Sequence, residues 1–180
     1  MSTYKSVAAA VLLASGLSSV ALAQEGPRLG VPVSPADIAA WDISIGPSGE
    51  GLPAGSGTAT AGANVYATKC IACHGEKGAG KPSDQLVGGK GTLKDANPVR
   101  TVGSYWPYAT TLFDYIRRAM PWPQPQSLTP DEIYAVTAYL LYLNGIVGEN
   151  DVINASTLPK VVMPNRDNFD VAYHAPRSKR

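Results

Sequence analysis

Five consecutive residues, Cys70-Ile71-Ala72-Cys73-His74, restrict this chain more than any other stretch of it. The spacing C-x-x-C-H reads as an attachment site for a c-type haem. Two thiols three positions apart on one turn can each add across a vinyl group of the same porphyrin. The histidine that follows is then held where its imidazole can reach the iron. These are the only 2 cysteines in 180 residues. A zinc site would need four clustered ligands of the Cys/His type, and the one other histidine is the distant His174. A thioredoxin-like C-x-x-C would sit in a βαβ pattern, which is absent, and would leave His74 unexplained. The alternative is a structural disulfide or a chance match.

The N-terminus reads as a signal peptide spanning residues 1–23. Lys5 is its short positive region, Val7 to Ala21 is mostly apolar, and Ala21-Leu22-Ala23 is an A-x-A cleavage site before Gln24. An uncleaved membrane anchor is the alternative, but the apolar run is short for a spanning helix and is diluted by Ser15, Gly16, Ser18 and Ser19. No twin arginine is present, so export is expected in the unfolded state, with haem attached after translocation. The expected address is the periplasm, with no stable membrane insertion after cleavage. The mature chain of 180 − 23 = 157 residues suffices for one domain.

Without Lys5 the chain carries 15 − 1 = 14 basic and 14 acidic residues, a balance that argues against a nucleic-acid partner. Lys69, Lys77, Lys81, Lys90 and Lys94 nevertheless lie close in sequence to the cysteines, with only Glu76 and Asp84 among them. They read either as an ordinary solvated surface or as a positive rim that steers a negatively charged redox partner.

From Gln24 to Gly57, 12 of 34 residues are Gly or Pro, so no helical or strand period survives and an irregular extension is expected. Within it Ile38, Trp41, Ile43 and Ile45 can lie against the body as a strap. Thr58 to Lys69 predicts a first helix with Gly62 and Tyr66 on one face. Glycine there costs roughly 1 kcal/mol of helix propensity, which a second helix crossing closely would explain. A Gly- and Lys-rich loop follows from Gly75 to Gly91. A backbone carbonyl near Pro82 is expected to orient the His74 ring by accepting its other N–H. Trp106 and Tyr105, in the run Tyr105-Trp106-Pro107-Tyr108, are packing residues or donors to a haem propionate.

Thr111 to Ala119 predicts a short helix with Leu112, Tyr115, Ile116 and Ala119 on one face and Arg117 and Arg118 turned away. Thr129, Pro130 and Glu132 announce the last helix as N-cap, first turn and capping box. Ile133, Val136, Leu140 and Leu143 carry its apolar face, and Thr137 on the same stripe needs a partner for its hydroxyl. Gly145 closes the helix. Residues 58–145 are thus the core domain. Residues 146–180 form an extension packed on its outside, ending in a loose basic tail from Arg177 to Arg180.

Three side chains compete to face His74 across the iron: Met120, Met163 and His174. Met120 follows a helix and precedes a Pro-rich loop (Pro121, Pro123, Pro125), where the chain can fold back over the haem. Met163 lies past the last helix, and His174 is 180 − 174 = 6 residues from the end, where ordering a ligand is costly. A lone Met is more often core filler, but the order haem motif, helix, Met, final helix favours Met120. Met/His ligation raises the iron's potential and leaves no open position, which suits a carrier and not a catalyst. No catalytic residues are expected, because no acid–base pair or nucleophile constellation accompanies the motif.

The order Gly62 and Tyr66, Cys70-x-x-Cys73-His74, Met120, then Tyr139-Leu140 resembles class I cytochrome c over about Thr58 to Gly145. The resemblance implies an all-α class I cytochrome c fold with an irregular N-terminal strap and a C-terminal tail. It also implies one covalent haem c and a crossing of the first and last helices at the glycine, with an aromatic pair packed there. A narrower likeness is to the cytochrome subunits of sulfur-oxidising sulfane or sulfite dehydrogenases. It is carried by Trp41-Asp42-Ile43-Ser44-Ile45, Leu86-Val87-Gly88-Gly89, the stretch from Thr101 to Thr111, Tyr115-Ile116-Arg117-Arg118-Ala119-Met120-Pro121 and the stretch from Leu158 to Arg166. Some of those relatives carry a second haem domain, whereas this chain has one C-x-x-C-H.

The expectation is therefore a periplasmic monohaem carrier that takes electrons from a molybdenum-containing sulfur-compound dehydrogenase and passes them to another cytochrome or oxidase. Carrying electrons for another dehydrogenase, such as an alcohol-oxidising one, is the alternative within the same class. An open-site haem enzyme or sensor is the alternative outside it.

Overall fold

A computed structural model describes residues 29–169; the segment expected to be a signal peptide, His174 and the basic C-terminal end lie outside them. The chain divides after Ile38 into two units. The first contributes Leu29 to Ile38, extended and then turning into helix α1 (Pro35–Trp41). This helix was not expected in the Gly/Pro-rich extension. Its signal is a short cap: Asp37 N–H donates to Ser34 Oγ at 3.1 Å, Ser34 N–H reaches Asp37 Oδ2 at 3.3 Å, and Pro35 follows the cap. None of its residues is buried, and Trp41, in the second unit, is 87% exposed and so does not belong to a strap.

The second unit is helical, with one two-stranded antiparallel ladder. Strand β1 (Ser56–Gly57) leads into α2 (Ala59–Lys69), capped by Thr58 Oγ1 on the Ala61 N–H at 3.3 Å. A short turn of helix, α3 (Ile71–His74), carries the cysteine motif. Helix α4 (Ala109–Ala119) starts two residues before its expected position, and α5 (Pro130–Leu143) carries the full Thr129/Glu132 capping box. Strand β2 (Ile153–Asn154) pairs Ser56 with Asn154 and Gly57 with Ile153.

The core forms where α2 crosses α5. A Cβ on Gly62 would lie 1.9 Å from the Ala135 carbonyl oxygen and 2.8 Å from Tyr139 Cβ, and one on Gly57 would lie 2.2 Å from the Ala135 nitrogen. Backbone meets backbone there, which only glycine permits. Tyr66 and Tyr139 pack beside the crossing with ring centroids 5.4 Å apart. Tyr134 of α5 also packs tilted against Phe113 of α4, with centroids 4.5 Å apart, and its hydroxyl donates to the Pro53 carbonyl at 2.9 Å. The one-sided stripe expected for α5 understates its burial. Tyr134, Ala135, Ala138 and Leu141 are buried along with Ile133, Val136 and Leu140, because β1, β2, α2 and α4 all pack on it. Thr137 is fully buried, and its hydroxyl has no partner among the described residues.

The strap exists farther along than Trp41. Ile45 is buried, its N–H donates to Asp114 Oδ1 at 2.9 Å, and Thr110 Oγ1 donates to the Pro47 carbonyl at 3.0 Å. Arg117 is not turned away, since its Nη1 donates to the Ile43 carbonyl at 3.1 Å. Arg118 does face outward and pairs with Asp114 at 2.7 Å. The C-terminal extension is likewise more than a cover. Ile153, Leu158 and Met163 are 3%, 0% and 1% exposed and belong to the hydrophobic core.

Two outcomes follow. Gly62→Ala gains about 1 kcal/mol of helix propensity but forces two backbones apart, an overpacking cost of about 1–3 kcal/mol or more. Thermal unfolding of the holoprotein should show net destabilisation, and an unchanged or raised midpoint would contradict the close crossing. Burial pushes the Tyr66 phenol up to about 12, with its hydroxyl donating to the Gly75 carbonyl at 2.8 Å. The folded state therefore favours the neutral phenol. That contribution to stability is complete below pH 10 and is lost as pH rises through about 12. Tyr66→Phe should flatten the alkaline loss of stability in denaturant titrations over that window.

Candidate functional site

Cys70 ends α2 and opens α3: its N–H donates to the Tyr66 carbonyl at 2.9 Å, and its carbonyl accepts from Cys73 and His74 at 3.1 and 3.0 Å. This tight turn sets both sulfurs and the imidazole on one wall of a cavity of about 370 Å³. Both cysteines are free thiols, Cys70 half-buried and Cys73 exposed. Burial, with the neighbouring Cys73 thiol, pushes the Cys70 thiol up to about 11, so it stays protonated at neutral pH.

The loop after His74 folds back onto the motif. Gly80 and Ser83 N–H groups donate to the His74 and Cys73 carbonyls at 2.7 and 2.9 Å. Gly75, at φ +71°, makes that return, and a Cβ on it would lie 2.5 Å from the Gly80 oxygen. His74 Nδ1 lies 2.9 Å from a backbone carbonyl, and that carbonyl belongs to Asp84, two residues past the proline near which it was expected. Asn144, at the end of α5, clamps the loop: its Nδ2 donates to the Leu86 carbonyl at 3.2 Å and its Oδ1 accepts from Gly88 N–H at 3.1 Å.

Opposite elements complete the cavity. Met120, at the C-terminal cap of α4, lines it together with Leu112, Ile116, Val136 and Leu140. Met163 does not; it is 1% exposed in the core. Trp106 lines the cavity and packs edge-on against Tyr115, with centroids 5.7 Å apart. Tyr105 does not reach it. Its ring packs on Phe169 at 5.5 Å and lines a separate surface depression, which removes the geometric basis for a propionate contact from Tyr105. Of the expected lysine rim, Lys69 lines the cavity. Arg100, also in the lining, escaped the sequence reading, because the chain returns there only 26 residues after His74 (100 − 74 = 26). Of the lysine rim, Lys90 and Lys94 fall on the separate depression.

The donor set fits haem c. Two free thiols, an imidazole and a thioether converge on an apolar hollow, with cations at its edge to balance carboxylates. Among the described residues, no cluster of three His, Cys, Asp or Glu side chains could hold a bare metal ion. None of their helices is long and apolar enough to cross a membrane.

Comparison with known proteins agrees. The family model for cytochrome c oxidase, cbb3-type, subunit III matches residues 57–140. No curated protein matches the sequence. A chain in the crystal structure of the sulfane dehydrogenase SoxCD from Paracoccus pantotrophus is 37% identical, with a TM-score of 0.74, over 85% of this chain and 86% of that one. The fold, the covalent haem c it implies and the extent of that identity place this chain among the class I c-type cytochromes, electron-transfer proteins and not enzymes.

Proposed function

We propose that this chain is an exported monohaem electron carrier, released to the periplasm by cleavage after Ala23, that accepts electrons from a molybdenum-containing sulfane or sulfite dehydrogenase. The observation that carries the sulfur chemistry is the 37% identity to a SoxCD chain, which runs over 85% of this sequence, well beyond the haem motif. A downstream cytochrome or oxidase would receive the electrons.

Cys70 and Cys73 would supply the two thioether links, and His74 and Met120 the axial ligands. Support for His74 comes from the bond its ring makes to the Asp84 carbonyl. With Nδ1 donating to the Asp84 carbonyl, the proton is fixed on that nitrogen and Nε2 is left as the ligating atom. Support for Met120 comes from its position on the cavity wall, where Met163 is absent. When bound, haem c supplies a one-electron couple between ferric and ferrous iron. The chain's own work is to hold two ligands on rigid supports and to exclude water. His74 sits on a turn pinned by Gly80 and Ser83, and Met120 on the end of a packed helix. Leu112, Ile116, Val136 and Leu140 keep the hollow apolar, which with a thioether ligand raises the potential.

Met120→Ala should abolish the weak far-red charge-transfer band of the ferric protein, convert it to high-spin iron and make cyanide binding rapid. Persistence of the band would move the ligand elsewhere. The donor is tested by mixing the oxidised mature protein with periplasmic extract from its source and adding sulfite, thiosulfate or an alcohol separately. Rapid haem reduction with a sulfur compound alone is the expected result. Reduction with alcohol alone would replace the sulfur reading with that of a carrier for an alcohol-oxidising enzyme.

A further inference from the structure

A second depression, of about 870 Å³, lies beside the haem cavity, and Arg100 lines both. Three cationic side chains face it, Lys90, Lys94 and Arg100, against one carboxylate, Asp167. Among the described residues, none of the three cations forms an ion pair; the Arg118–Asp114 bridge is elsewhere. Arg100 instead rests on the Tyr105 ring, its guanidinium carbon 5.6 Å from the centroid, which positions its planar fork without neutralising it. Ser104, Asn165 and Asn168 complete its lining, and the side-chain amides of Asn165 and Asn168 each use one N–H in a bond to the protein and keep the other. Ser104 and Asn165 are both 5% exposed and are fixed by their own bonds, Ser104 Oγ to the Val99 carbonyl at 2.6 Å and Asn165 Nδ2 to the Tyr105 carbonyl at 2.8 Å. The wall is therefore pinned, while its cationic heads have no ion-pair partner among the described residues.

The geometry points to a binding site here for a small multivalent oxyanion of the sulfate or phosphate type, coupled to the haem through Arg100. A concave hollow with three cations that form no ion pair among the described residues, beside the remaining amide N–H groups of Asn165 and Asn168, suits a compact tetrahedral anion, which can accept from several donors at once. The coupling follows from Coulomb's law. Oxidised haem carries one more positive charge than reduced haem, so a free guanidinium at the cavity edge favours reduction. An anion that neutralises Arg100 from the other side favours the oxidised form. Occupancy thus lowers the reduction potential without touching the iron. The coupling rests on haem c occupying the cavity; binding itself does not.

The test uses purified holoprotein at low ionic strength. Calorimetry reads binding of sodium sulfate or inorganic phosphate, and spectroelectrochemistry reads the midpoint potential during the same titration. Sodium chloride at matched ionic strength is the control. The expected result is saturable binding with a parallel fall in midpoint beyond that in chloride. Arg100→Gln should lower the anion-free midpoint and remove the response. Lys94→Gln, which does not line the haem cavity, should leave the anion-free midpoint close to wild type and weaken binding about tenfold, the loss of one charge-assisted contact. A chloride-like response, or a response of undiminished affinity in both variants, would overturn the site. Binding with no shift in midpoint would overturn the coupling. A midpoint that moves only when a dehydrogenase is added would make the hollow a protein-docking surface and sink the proposal.

Discussion

Everything in this molecule depends on the place where the backbone of α2 rests on the backbone of α5 at Gly62 and Ala135. With only hydrogen on Gly62, the helices approach closely enough for Tyr66 and Tyr139 to pack beside the crossing. Because α2 is fixed there, its C-terminal end is fixed too, and that end is Cys70. The position of the haem-attachment turn is thus set by a contact eight residues upstream (70 − 62 = 8). The remaining walls follow from the same helix, since Val136 and Leu140 of α5 line the cavity whose opposite edge carries the cysteines.

A second layer of constraint is polar and local. The loop from Gly75 to Gly91 has few apolar side chains and could not hold a shape by packing. It is held by its backbone donors to the Cys73 and His74 carbonyls, by Leu86 and Val87 N–H groups on the Gly78 carbonyl, and by Asn144 reaching from the end of α5. The Asp84 carbonyl is positioned by this network, and it in turn orients His74. The haem motif, the loop and the last helix are therefore one mechanical unit, although they are far apart in sequence.

The extensions finish the core instead of decorating it. The chain from Ile43 to Pro53 brings Ile45 into the core and the Pro53 carbonyl to the Tyr134 hydroxyl. Asp114, buried on α4, is neutralised by Arg118 and satisfied by the Ile45 N–H. A buried carboxylate needs both kinds of partner, and here one comes from the next helical turn and one from the strap. Leu158 and Met163 close the other side, which is why Met163 is core while Met120 faces the cavity.

Local chemistry was legible in the sequence because it is written in short spacings. The C-x-x-C-H turn, the Thr129/Glu132 capping box, the glycine one turn before Tyr66 and the Pro-flanked Met120 each need only neighbouring residues to be read. The order of elements favoured Met120 over Met163 and His174, and left Tyr105 between packing and a propionate contact. The residues alone missed how deeply Leu158 and Met163 enter the core, and Arg100 at the cavity edge. Those features depend on which parts of the chain meet after folding, and Gly/Pro-rich segments carry no period that announces a partner. The sequence by itself determined that this chain binds haem covalently on a turn after a helix. Only the tertiary structure decided which methionine lines the cavity and which cations stand at its edge, because those are contacts between segments tens of residues apart, and burial rather than spacing selects them.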